Sequence, residues 1–129
     1  MSQKDENKSV INFVLVHIDS VEKLEVLLHL YRNADKEWTP KQISEQIRTN
    51  ENSVAGRLIS LKSIGLLESS DDIHFKYNPK TDELKHIVDG LVKFYQERRV
   101  SLIELIFSKP SDKVLSFAEA FRFRKDDKS

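Results

Sequence analysis

The sequence contains no cysteine, which excludes a disulfide framework, a thiolate zinc site and a thiol redox sensor. That absence suits a reducing cytoplasm. Glycine is scarce, and Gly56, Gly65 and Gly90 stand far apart, so no glycine-rich phosphate loop exists. Long apolar runs are missing too: the longest block, Phe13 to Val16, is far too short to span a bilayer. Neither does the polar, mixed-charge opening Met1 to Ser9 read as a signal peptide. There is no excess of either charge, 21 Lys and Arg balancing 21 Asp and Glu. Proteins that live on nucleic acid are often basic, so any such role must rest on how charge is distributed rather than on its sum.

Catalytic chemistry is equally hard to find. His17, His29, His74 and His86 have no ligand-type spacing with one another or with an acidic cluster. The acid pairs Asp71-Asp72, Asp82-Glu83 and Asp126-Asp127 fall at a turn, a helix start and a tail, where solvation and capping explain them. Ser60 and Ser101 lack a nucleophile-elbow context. The expectation is a chain with no catalytic residue, no metal site, no cofactor and no identifiable small-molecule effector.

What is present is a well-punctuated run from Thr39 to Leu67, TPKQISEQIRTNENSVAGRLISLKSIGLL. Thr39 is a good N-cap, Pro40 suits the first helical position where its missing N–H costs nothing, and Gln42 stands where a capping box needs it. Ile43 and Ile47 share one face. Asn50 or Thr49 starts a second helix, in which Val54, Leu58 and Leu61 form a buried stripe. Ser53, Gly56, Arg57 and Ser60 are expected together on the other side, small and polar enough for close approach to a partner. Gly65 ends that helix in a left-handed conformation. Leu66 to Ser69, a turn at Ser70-Asp71-Asp72, and an alternating strand Ile73 to Tyr77 complete a hairpin.

This stretch resembles the winged helix-turn-helix superfamily, of the kind found in bacterial transcriptional regulators. The likeness rests on TPKQISEQI followed by SVAGRLISLKSIGLLE, and covers about Ser20 to Asn78. It implies a mainly α (α+β) fold: a winged helix-turn-helix core with a small β-hairpin wing, followed here by additional C-terminal helices. It also implies binding of double-stranded DNA, although some such folds serve only as protein–protein interaction modules.

The rest of the chain is read around that core. Residues 1–9 are expected to be a disordered leader, 10–79 the winged helix-turn-helix domain, and 80–129 a C-terminal helical extension. Val10 to Ile18 is ambiguous between strand and helix. The stripe Ile11, Val14, Leu15, Ile18 and the lack of a pairing partner favour a helix. Asp19 reads as an N-cap with Glu22 at N3, opening a helix to Arg32 whose inward face is Leu24, Leu27, Leu28 and Tyr31. Trp38 is expected as a staple on the next helix or in a short strand against the hairpin. Thr81 or Asp82 opens a long apolar-striped helix with a bend near Arg98-Arg99, Pro110 stops it, and Ser111 caps a last helix.

Leu84, Val88, Leu91, Tyr95, Leu102, Ile106, Phe117 and Phe121 form an apolar seam longer than a winged-helix core should need. It packs either within the chain or, as favoured here, across the two-fold axis of a homodimer. For DNA, the outward candidates are Lys41, Arg48, Asn52, Ser53, Arg57, Ser60, Lys62 and Lys76. Arg57 would read a guanine edge, and the lysines and Arg48 would meet phosphates. Against them stand five acids for five bases between Thr39 and Pro79, and an acidic wing tip at Asp71-Asp72. The sequence therefore points to a cytoplasmic, dimeric DNA-binding regulator, with no membrane role.

Overall fold

The computed structural model describes residues 3–108. Among them the order is α1 (Gln3–His17), α2 (Val21–Arg32), α3 (Pro40–Ile47), α4 (Glu51–Ile64), β1 (Leu67–Glu68), β2 (Lys76–Tyr77), α5 (Asp82–Glu97) and α6 (Arg99–Phe107). No helix among these residues is long and apolar enough to cross a membrane. The mainly helical fold with a small two-stranded wing is the one expected.

The ambiguous apolar segment near the start is helical, and α1 begins at Gln3, inside the stretch read as a leader. Its buried face is Val10, Phe13 and Val14, with Ile18 just past its end. Ile11 and Leu15 are only partly covered, so the face is turned from the expected stripe. The contact with α5 sets that rotation. Gly90 lies so close to α1 that a β-carbon there would come within 3.0 Å of Val10 Cγ2.

Ser20, rather than Asp19, caps α2: its hydroxyl accepts the Lys23 N–H at 3.1 Å. Lys23, Leu24, Val26, Leu27, Leu28 and Leu30 of α2 are all buried. A helix covered on nearly every side sits at the centre, and α2 touches α3, α4, α6 and β2. Trp38 serves the hairpin. Its backbone exchanges two hydrogen bonds with Phe75, at 2.7 and 2.8 Å, while its indole N–H donates to the Asn33 carbonyl. The His29 ring meets the indole edge-on at 4.4 Å.

β1 and β2 pair antiparallel with Leu67 opposite Tyr77 and Glu68 opposite Lys76. The second strand is shorter than the expected Ile73 to Tyr77. The reason is the Asp71 carboxylate, which accepts the N–H groups of both Ile73 and His74 and holds them in the turn.

The C-terminal helices are the main departure from expectation. Thr81 caps α5, and the chain bends at Arg98 before α6, as the sequence indicated. Yet Val88, Leu91, Leu102 and Ile106 are buried within the chain, against α1 and α2, and Leu84 and Tyr95 pack on the same cluster. Val88, Leu91, Leu102 and Ile106 are therefore core rather than a seam left open for a second copy, with Leu84 and Tyr95 partly buried at its edge. Among the described residues one cluster of apolar side chains takes in all six helices, α5 and α6 included. Val16, Val100 and Phe107 are the large apolar side chains left exposed on α1 and α6. Phe117, Phe121 and the expected last helix lie outside the described residues.

Candidate nucleic-acid interface

The helix-turn-helix is built by local chemistry. Thr39 and Gln42 close a reciprocal capping box, the Thr39 hydroxyl accepting the Gln42 N–H at 3.2 Å and the Gln42 side chain accepting the Thr39 N–H at 3.0 Å. Pro40 sits in the first turn of α3. Arg48 ends that helix with φ 58° and ψ 57°, a left-handed conformation that glycine adopts more readily. Asn50 then caps α4 through the Ser53 N–H, and Gly65 closes α4 at φ 103°. A β-carbon on Gly65 would also crowd Leu84.

A polar cluster between α2 and α4 holds the second helix at its angle. Thr49, Ser53 and Arg57 all donate to the Glu22 carboxylate, the Arg57 Nε at 3.1 Å. A terminal nitrogen of Arg57 also lies 3.8 Å from Asp19. Lys23, buried beside them, donates to the Ser60 hydroxyl at 2.6 Å. Burial works to raise the Glu22 carboxyl, but the hydrogen bonds from Ser53, Thr49 and Arg57 outweigh it and leave its pKa below the ordinary value. Burial lowers the Lys23 ammonium; Asp19 opposes this and Arg57 adds to it.

Ser53, Arg57 and Ser60 thus face α2, not outward as expected. Positions 53, 57 and 60 run beside the buried stripe 54, 58 and 61, and their small or extended polar side chains let α2 come close. Asp19, Glu22 and Lys23 are residues that sequence reasoning missed as parts of this cluster. Asp19 and Glu22 were legible only as capping residues, because their true partners lie some thirty positions away.

What α4 does present to solvent is Glu51, Asn52, Gly56, Ile59 and Ser63. Ile59 is 45% exposed, and nothing lies within 4 Å of where a Gly56 β-carbon would be. Beside this face an open groove of about 730 Å³ runs toward the wing, with Ile59, Lys62 and Ser63 on one side and Glu68, Ser69 and Asp72 on the other. Lys62 crosses it to Asp72 at 2.6 Å.

The wing tip is less negative than its composition. Asp72 is matched by Lys62, and Asp71 by the His74 Nδ1 at 2.8 Å. The Asp71 carboxyl is held well below its usual range, first by the His74 backbone and side chain and then by the Ile73 N–H. The same side-chain bond raises the His74 imidazole above its ordinary value. Lys41 and Arg48 are exposed and Lys76 is half-covered, and none makes an ion pair among the described residues. Nor, among those residues, do three or more potential ligands gather where a metal ion could bind.

A capped helix pair whose second helix has a free face, closed by a short antiparallel hairpin, defines a winged helix-turn-helix protein. The family model described as the winged helix-turn-helix transcription repressor, HrcA DNA-binding, matches residues 18–89, from the end of α1 to the middle of α5. That is more than half of the chain, and the chain belongs to this family of DNA-binding domains. No curated protein matches it. Among solved structures, the reduced form of MarR from E. coli is similar, at 16% identity and a TM-score of 0.49 over 92% of this chain and 84% of that one.

Proposed function

We propose that this chain is a cytoplasmic transcriptional regulator that binds duplex DNA as a homodimer, laying the exposed face of α4 in the major groove. The observation that carries this reading is the face of α4 that the described residues leave exposed, held in place from behind by Glu22. Phosphate contacts fall to the cations around it that make no ion pair among the described residues. Lys41 stands at the start of α3, where backbone N–H groups also favour an anion, Arg48 in the turn, and Lys76 on the wing. Dimerisation is assigned to the exposed Val16, Val100 and Phe107 rather than to the buried seam.

Selection of genomic duplex fragments on the purified protein, followed by titration at several salt concentrations, tests this. Three phosphate contacts per protomer give a logarithmic salt slope of about −5 for a dimer, using about 0.9 per contact. A slope near zero, or no retention at low salt, overturns it. A protein-docking module is the competing reading, supported by the exposed Ile59 and Ile73 flanking a neutral domain. It predicts the second outcome.

A further inference from the structure

Guanine offers two acceptors, N7 and O6, to the major groove, and proteins usually meet them with the paired donors of Arg or Lys. The obvious donor on α4 is Arg57, but its guanidinium is already committed. Its Nε donates to Glu22 at 3.1 Å, Asp19 lies 3.8 Å from a terminal nitrogen, and only 32% of the side chain is exposed. Moving it into a groove would leave the Glu22 carboxylate with one donor fewer in a site only 19% exposed. Lys62, the other cation of the helix, is held by Asp72.

The side chains that remain on the free face carry different chemistry. Asn52 stands in the first turn with a donor and an acceptor side by side, the pattern that adenine N7 and N6 complement. One turn on, Gly56 has open space in place of a side chain, which lets the backbone approach the base edges. Another turn brings Ile59, a branched apolar side chain half in solvent, suited to the thymine methyl group. Glu51, beside Asn52, only accepts hydrogen bonds when ionised, so it finds no partner on guanine's acceptor edge and could serve only a cytosine N4–H at its own position, not at those under Asn52 and Ile59.

We infer that base recognition centres on Asn52 and Ile59 and selects A·T over G·C pairs beneath α4, with Arg57 acting as a positioning residue tied to Glu22. The inference rests on the DNA-binding reading above and names the base class that reading would select.

The test is selection of sites from a randomised duplex library by the full chain, followed by anisotropy titrations of variants on the winning site. Expected is a motif with adenine and thymine at the positions under α4. Asn52→Ala costs about tenfold at one adenine and flattens the preference there. Replacing one thymine by uracil, which removes only the methyl, weakens binding by the parent and leaves Ile59→Ala unaffected. Arg57→Ala lowers affinity for all sequences alike and lowers the melting temperature, whereas the exposed Asn52→Ala and Ile59→Ala melt with the parent. A guanine-centred motif whose preference disappears in Arg57→Ala overturns the inference. Retention of the library with no base preference overturns it while leaving DNA binding intact, and no retention at any salt removes both.

Discussion

Arg48 carries two demands that pull apart. Its left-handed backbone costs a residue with a β-carbon about 1 kcal/mol relative to glycine, while its guanidinium is exposed in the turn. Arg48→Gly should therefore be more stable than Arg48→Ala by about 1 kcal/mol in chemical denaturation. Both should bind DNA equally weakly, since both lose the cation. His74 makes a second single-residue test. Its bond to Asp71 raises the imidazole pKa, with Glu37 adding to the effect, so that ion pair is complete below the ordinary value of 6.5 and is lost as pH rises through the raised one. DNA affinity should rise by roughly a few-fold between pH 8 and pH 6 as the wing tip gains charge. His74→Ala should abolish that rise in titrations at constant ionic strength.

Between elements, two contacts decide how the helices sit. Glu22 joins α2 to the turn through Thr49 and to α4 through Ser53 and Arg57. Glu22→Ala should cost about 1–3 kcal/mol of stability, the range for hydrogen bonds to a charged group. Because its folded pKa is depressed, this carboxylate stabilises the protein above the ordinary value of 4.5, and the contribution fades as pH falls below it. Glu22→Gln should flatten the acid limb of the unfolding curve. On the other side of the molecule, Gly90 lets α5 lie against α1. Gly90→Val should destabilise by about 1–3 kcal/mol through overpacking, and adding Val10→Ala should restore part of the loss. Full additivity of the two changes would show that the helices do not meet there.

For the molecule as a whole, net charge is balanced, so the proposed DNA binding falls to a few local cations and the proposed dimer to a few exposed apolar groups. Phe107 is 74% exposed at the end of α6 among the described residues. Phe107→Ser should shift the protein toward monomer in sedimentation and leave the stability of the monomer fold within about 0.5 kcal/mol of the parent in chemical denaturation, as expected for a surface position. A monomeric parent would remove the dimer from the proposed function. Leu91→Ala, in contrast, should cost about 2–5 kcal/mol, because Leu91 is core rather than seam.

Local signals made much of this legible beforehand. Thr39, Pro40 and Gln42 close their capping box, Asn50 and Gly65 bound α4, and Val54, Leu58 and Leu61 face inward, because caps, left-handed turns and helical periodicity act within a few residues. Tertiary structure alone decided which flank of α4 meets α2, and whether α5 and α6 cover their own chain. Periodicity places residues around a helix but does not say which neighbour arrives on each side. Partners far away in sequence settle that: Glu22 turns Arg57 inward and leaves Asn52 and Ile59 to face the solvent, while Gly90 lets α5 lie against α1.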